Sequence, residues 1–353
     1  MDLIDIIIAK KISGGGGSGI QNIWDSTGTG AVAGGDPDNK NNITASGTEC
    51  LSFGFNCKAS APNSFALGSN NTASASCSFA TGSYTKATGT DAHSEGYSTE
   101  ASGPNSHAEG SQTMALNGTA HSEGSSTIAN GYSSHAEGDS TKALSGASHT
   151  EGYNTQTDES RAYAAHAEGS STKALGYVSH SEGDSTEASG SASHAEGNGT
   201  KATTYYAHAE GYATIASGSQ SHAEGYYTTA SNLDSHAENY YTKARGEHSH
   251  AEGYYTEAVG NESHAEGSYT IANGESQHVA GTYNIADNTS LEIIGNGTTT
   301  ANRSNARTLD KQGNEYLAGQ IQPENGLRLK APNGTYYNVN VDNTGALSIT
   351  AVT

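Results

Sequence analysis

The chain has 353 residues, with 37 acidic against 16 basic side chains, a formal net charge of -21 and 45 glycines. Only 33% of it is hydrophobic, with four Phe, two Met and one Trp, so a lone chain of this length lacks the apolar volume for an ordinary globular core. The charge repels nucleic acid and anionic lipid and argues against both as partners.

At the N-terminus, "MDLIDIIIAKKI" predicts a short amphipathic segment carrying Leu3, Ile4, Ile6, Ile7 and Ile8. A Gly-rich linker follows to residue 19, and a connector fills 20–39. Asp2 and Asp5 stand where a secretory signal would be basic, the apolar run is short, and no small-residue cleavage site follows. The expectation is a chain folded in the cytoplasm without a signal peptide.

From His93 a fourteen-residue period dominates. Histidine recurs at 93, 107, 121, 135 and 149, slips by three residues, and resumes from 166 to 278, so fourteen of the fifteen histidines are one repeated position. Counting back by fourteen reaches Phe79, Phe65 and Leu51, which places the start of the array near Lys40 and predicts a shaft over 40–287 of about seventeen coils. Fourteen residues are too few for a helical repeat. They fit one coil of a parallel β-solenoid, an all-β fold with two strands of about five residues and two tight turns. Stacked at about 4.8 Å per coil, the shaft would be on the order of 80 Å long.

The alternation of strand side chains assigns the faces. In "SHAEG", Ser106, Ala108 and Gly110 share one side and His107 and Glu109 the other. In "STEAS", Thr99 and Ala101 oppose Glu100. Small residues (Ser, Ala, Gly, Thr) are therefore expected inside. The outward position of the second strand varies freely (Glu100, Met114, Ile128, Lys142, Gln156, Lys173, Ile215, Thr229), as a solvated surface can. On the first strand it is a fixed His/Glu pair, replaced by Leu51/Phe53, Phe65/Leu67 and Phe79/Thr81 in the opening coils. A position that takes either Phe/Leu or His/Glu suits burial against another copy of the chain. The expected interface residues are Phe65, Leu67, His107, Glu109, His135, Glu137, His194, Glu196, His222, Glu224, His250, Glu252 and their equivalents.

The stretches "NSFALG", "CSFATG" and "TASG" resemble the head repeats of trimeric autotransporter adhesins, and "SHAEG" is similar to the same roll in tail fibres and appendages of bacteriophages and prophages. Residues 277–319 resemble the segment that closes such arrays in phage structural proteins. The resemblance covers residues 40–319. It implies a left-handed β-roll, a homotrimer and a virion location, with the N-terminal segment as the attachment to the virion. The bland alternative for that segment is a disordered or trimerising tail.

Residues 288–353 predict a small β tip with turns at "DKQGNE", "APNG" and "DNTG" and no membrane-length apolar stretch. Cys50, Cys57 and Cys77 are expected to be small buried residues rather than a disulfide or a metal site. Ser106 and His107 point to opposite faces, so no Ser-His-Glu triad forms within a coil. The repeated His/Glu column reads as structural rather than as a metal site, and no catalytic residue or cofactor is expected. The pair leaves two electrostatic outcomes open: imidazolium bound to carboxylate, with the histidine pKa raised, or neutral imidazoles that only donate to Glu.

After "HAEG" the later coils place tyrosines, at Tyr226/Tyr227, Tyr240/Tyr241, Tyr254/Tyr255, Tyr269 and Tyr283. Tyr227, Tyr241, Tyr255 and Tyr269 are candidates for contact with a host-surface glycan or protein, against the plainer role of stapling the turns. The functional expectation is a non-enzymatic structural fibre with a host-binding tip. The alternatives are an enzyme-bearing or self-processing appendage and a cell-surface adhesin head.

Overall fold

The computed structural model describes residues 30–34, 42–319, 327–341 and 344–352; the N-terminal segment and linker, and most of the connector, lie outside these. Among the described residues there is no helix. Each fourteen-residue unit is one coil of a parallel β-solenoid, and two ladders run the length of the array. The long ladder joins strands such as His107–Ser111 in strict register, His107 opposite His93 and His121, and Glu109 opposite Glu95 and Glu123. The second ladder holds seventeen strands of only two residues, Glu100–Ala101 for example, not the five expected. Its strands are short because the chain leaves Ala101 through the Ser-Gly turn that carries it back to the long ladder.

The array is longer than the repeat pattern indicated. Val32–Gly34 already pairs parallel with Leu51–Phe53, and at the far end Ser290–Asn296 pairs parallel with His278–Thr282. The three-residue slip at 157–163 is accommodated without loss of register, since His149 still opposes His166.

The interior is built from Ala, Ser and Thr. Ala101, Ala108, Ala195 and their equivalents have no exposed surface, and Thr99, Ser106 and Thr113 are fully buried beside them. Among the described residues the largest buried side chains, Gln277, Val279 and Ile293, fill the last coils, and Asn71 is the bulkiest in the early ones. The glycine of "HAEG" is a correction to the expected interior set. Gly110 is exposed with φ +106°, and a Cβ there would stand 2.2 Å from the carbonyl oxygen of Gly124, so the position needs glycine for backbone approach, not for lack of interior room.

Ser106 donates to the Gly103 carbonyl at 2.6 Å inside the coil, while His107 lies on the outer face. Where a second interior serine faces a threonine, the two hydroxyls meet across the coil: Ser94–Thr99, Ser122–Thr127 and Ser181–Thr186, each at 2.7 Å. Where the coil has alanine there, as with Ala108 and Ala195, the hydroxyls of Thr113 and Thr200 have no partner.

The array closes with an antiparallel pair, Asn305–Asp310 folded back on Ser290–Asn296 and followed by Glu315–Leu317. Arg307 bonds to both Glu292 and Glu315 across this cap. Leu327–Lys330, Tyr336–Val341 and Leu347–Val352 form a separate three-stranded antiparallel sheet, with a turn at Ala331–Gly334 as expected from "APNG". Cys50 and Cys57 are buried, but Cys77 is exposed on a turn with φ +56°, against expectation.

Candidate functional site: the histidine column and the tyrosine ladders

Strict register brings the repeated histidines into one column. From His93 to His264 successive rings lie 4.7–4.9 Å apart, most within a few degrees of parallel, and the column continues onto Phe79 at 4.8 Å. The ring spacing is the strand spacing, so stacking requires no adjustment of the backbone. His107, His135, His194, His222 and His250 all belong to this column.

Glu109, Glu137, Glu196, Glu224 and Glu252 belong to a parallel carboxylate column beside the rings. Glu95 spans two rungs, one oxygen 3.8 Å from His93 Nε2 and the other 3.7 Å from His107 Nε2. In three places the contact closes to a hydrogen bond with the preceding coil: His135 to Glu123 at 3.1 Å, and His264 to Glu252 and His278 to Glu266 at 3.2 Å. Elsewhere the Nε2 atoms, among them those of His107, His194, His222 and His250, are buried without a hydrogen-bond partner. Trios such as His93, Glu95 and His107 place three metal-capable atoms within 4.8 Å of one another, a clustering that the sequence reading assigned to structure alone.

The electrostatics favour neutral imidazoles. Burial lowers the pKa of His93, His166, His180, His222, His236 and His250, and the neighbouring imidazole lowers each further. For these six the direction is that of the uncharged outcome, although their Nε2 atoms make no hydrogen bond to a glutamate; among the described residues only His135, His264 and His278 are hydrogen-bonded to one. The carboxylates share protons along their column. Hydrogen bonds to Glu151 and Glu182 push Glu168 up to about 7, and burial with bonds to Glu224 and Glu252 pushes Glu238 up to about 7. Their hydrogen-bond partners Glu151, Glu224 and Glu252 are held below the usual carboxylate range.

The outer face of the long ladder is half-exposed throughout. Phe65 keeps 40% of its surface and Phe53 47%, and the imidazoles keep about a third of their side-chain surface. Leu67 is half-buried on the same face. This half-exposed stripe starts apolar and becomes His/Glu.

The tyrosines form two adjoining ladders. Tyr212, Tyr226, Tyr240 and Tyr254 stack at 5.0–5.1 Å, and Tyr227, Tyr241, Tyr255, Tyr269 and Tyr283 at 4.6–4.9 Å. Neighbours such as Tyr226 and Tyr227 meet edge to face, 4.8 Å apart. Ring faces are thus taken up by other rings. Tyr227, Tyr241, Tyr255 and Tyr269 all have φ near +55°, a left-handed conformation that costs a non-glycine residue roughly 1–2 kcal/mol. Stacking offsets that cost. Arg303 finishes the second ladder, donating to the carbonyls of Tyr269 and Asn284 and lying 6.0 Å over the Tyr283 ring. Tyr241→Ser removes stacking on both sides and should lower stability by about 1–3 kcal/mol. Urea unfolding checks this, and an unchanged midpoint would mean that the ladder carries no load.

No protein-family model matches the chain, and no curated protein matches its sequence.

Proposed function

We propose that the chain is the shaft of a bacteriophage fibre or appendage: a non-enzymatic structural protein that assembles as a homotrimer through the His/Glu face. The N-terminal segment attaches it to the virion, and the tyrosine ladders with the C-terminal β sheet meet a host-surface glycan or protein. The observation that carries this reading is the half-exposed stripe on the long ladder. Phe65 is a large apolar side chain left 40% exposed, in register with half-exposed imidazoles that a second copy would desolvate and pair with the carboxylates beside them. The interior of Ala, Ser and Thr buries little apolar area per residue, so a further interface supplies what the coil lacks.

Sedimentation equilibrium of the purified chain tests this. A trimer is the expected result, and a stable folded monomer overturns it. Changing Tyr227, Tyr241 and Tyr255 together to Ser should leave the trimer assembled but reduce cell binding at least tenfold. Unchanged binding would restrict the ladders to a structural role.

A further inference from the structure

The slip that interrupts the repeat places Arg161 at the edge of a groove. Residues 158–161 bulge out from the coil, with the Asp158 carboxylate accepting from the backbone amides of Ser160 and Arg161. That carboxylate closes the loop and also attracts the Arg161 guanidinium from a distance, but Arg161 is exposed and makes no salt bridge within 4 Å among the described residues, in a chain of 37 acidic and 16 basic side chains. Arg161 borders a groove of about 510 Å³ that is also lined by Tyr177, Ser189, Ser191, Thr203 and Tyr205. This volume is in the range of small-molecule sites.

The groove has a one-coil gap in an aromatic column. Tyr163 and Tyr177 stack 6.0 Å apart and 17° from parallel. Fourteen residues on, the same turn position is Ser191, followed by Ala192, and after another fourteen it is Tyr205. The coils are in register there: the Ala192 amide donates to the Tyr177 carbonyl at 2.7 Å, and the Tyr206 amide to the Ser191 carbonyl at 3.0 Å. The backbones at Tyr177 and Tyr205 are therefore two rungs apart, about 9.6 Å, and rings in this column are spaced no closer than the backbone, 6.0 Å for the Tyr163–Tyr177 rung. A ring contacted on both faces at 3.5–4.0 Å needs about 7–8 Å. The small Ser191 and Ala192 leave that slot open, with Tyr177 54% and Tyr205 63% exposed on either side.

We propose that this slot binds a pyranose ring bearing a carboxylate, that is, one residue of an acidic polysaccharide. The ring enters between Tyr177 and Tyr205, its hydroxyls meet Ser189, Ser191 and Thr203, and its carboxylate pairs with the Arg161 guanidinium, whose planar fork matches it. The site is separate from the tyrosine ladders and stands whether or not the shaft belongs to a virion.

The test is calorimetric titration of the full chain with trigalacturonate, and with neutral maltotriose as control. Trigalacturonate should bind at least tenfold more tightly, and Arg161→Gln should remove that preference. Ser191→Tyr completes the column with a residue that positions 163, 177 and 205 already accept; it should abolish binding while the melting temperature holds or rises. Absence of trigalacturonate binding, equal binding of maltotriose, or full affinity in folded Ser191→Tyr would each overturn the proposal.

Discussion

Replacing Ala195 by Leu should destabilise the shaft by about 3 kcal/mol, the upper end of what overpacking costs. Ala195 has no exposed surface and is stacked between Ser181 and Ala209 in the long ladder, with the fully buried Thr200 across the coil. Three added carbons have nowhere to go, because the coil cannot widen without breaking ladder hydrogen bonds on both sides. In a stacked repeat the damage spreads to the neighbouring coils, which lose an interface. Ala195→Ser should act in the opposite direction. The Thr200 hydroxyl is buried without a partner, whereas a serine at the equivalent position gives the 2.7 Å Ser181–Thr186 bond one coil earlier. A gain of about 0.5–1.5 kcal/mol is expected. Denaturant midpoints at constant slope would measure both; a tolerated Leu would mean that the coil has slack, and a neutral Ser that the hydroxyl is satisfied by other means.

The period, the coil and most of the interior were legible because one position repeats every fourteen residues and strand side chains alternate. His107 out and Ala108 in follow from that alternation alone. The alternation failed at Gly110, where the chain has φ +106° and parity no longer sorts inside from outside. It also overextended the second strand, because "STEAS" looks like five extended residues when only Glu100 and Ala101 form the ladder. That parallel coils put identical side chains at the strand spacing could be foreseen; that imidazoles so placed would be partly desolvated by each other depends on ring orientation, which no spacing encodes. The groove beside Arg161 was missed for a related reason. Its signal was present as tyrosine, tyrosine, serine, tyrosine at one turn position, but a gap matters only once its neighbours are known to be stacked.

The histidine column should make the shaft sensitive to acid, not to alkali. Six histidines, His93, His166, His180, His222, His236 and His250, have pKa values lowered by burial and then by the adjacent ring. For these the unfolded chain binds protons more readily, so their contribution is fully present above about 6.5 and is lost as pH falls through the lower folded values. Glu151, Glu224 and Glu252, with pKa values below 4.5, add a further loss in stronger acid. Glu168 and Glu238, at about 7, work the other way: their protons are kept in the folded state, and their contribution declines as pH rises from about 4.5 to 7. Glu137, raised first by its hydrogen bond to Glu151, adds to this opposing group. Just below pH 6.5 six histidines oppose three carboxyl groups, so the unfolded chain takes up the excess protons, with an effect damped by solvent because about a third of each imidazole is exposed. The melting temperature should therefore climb as pH rises towards 6.5, reach a maximum near 6.5–7 and stay level above it. A melting temperature that rises on acidification from pH 7 to 5 and falls above 7 would mean that imidazolium–carboxylate pairs hold the column together, and that the rings are charged in the folded shaft.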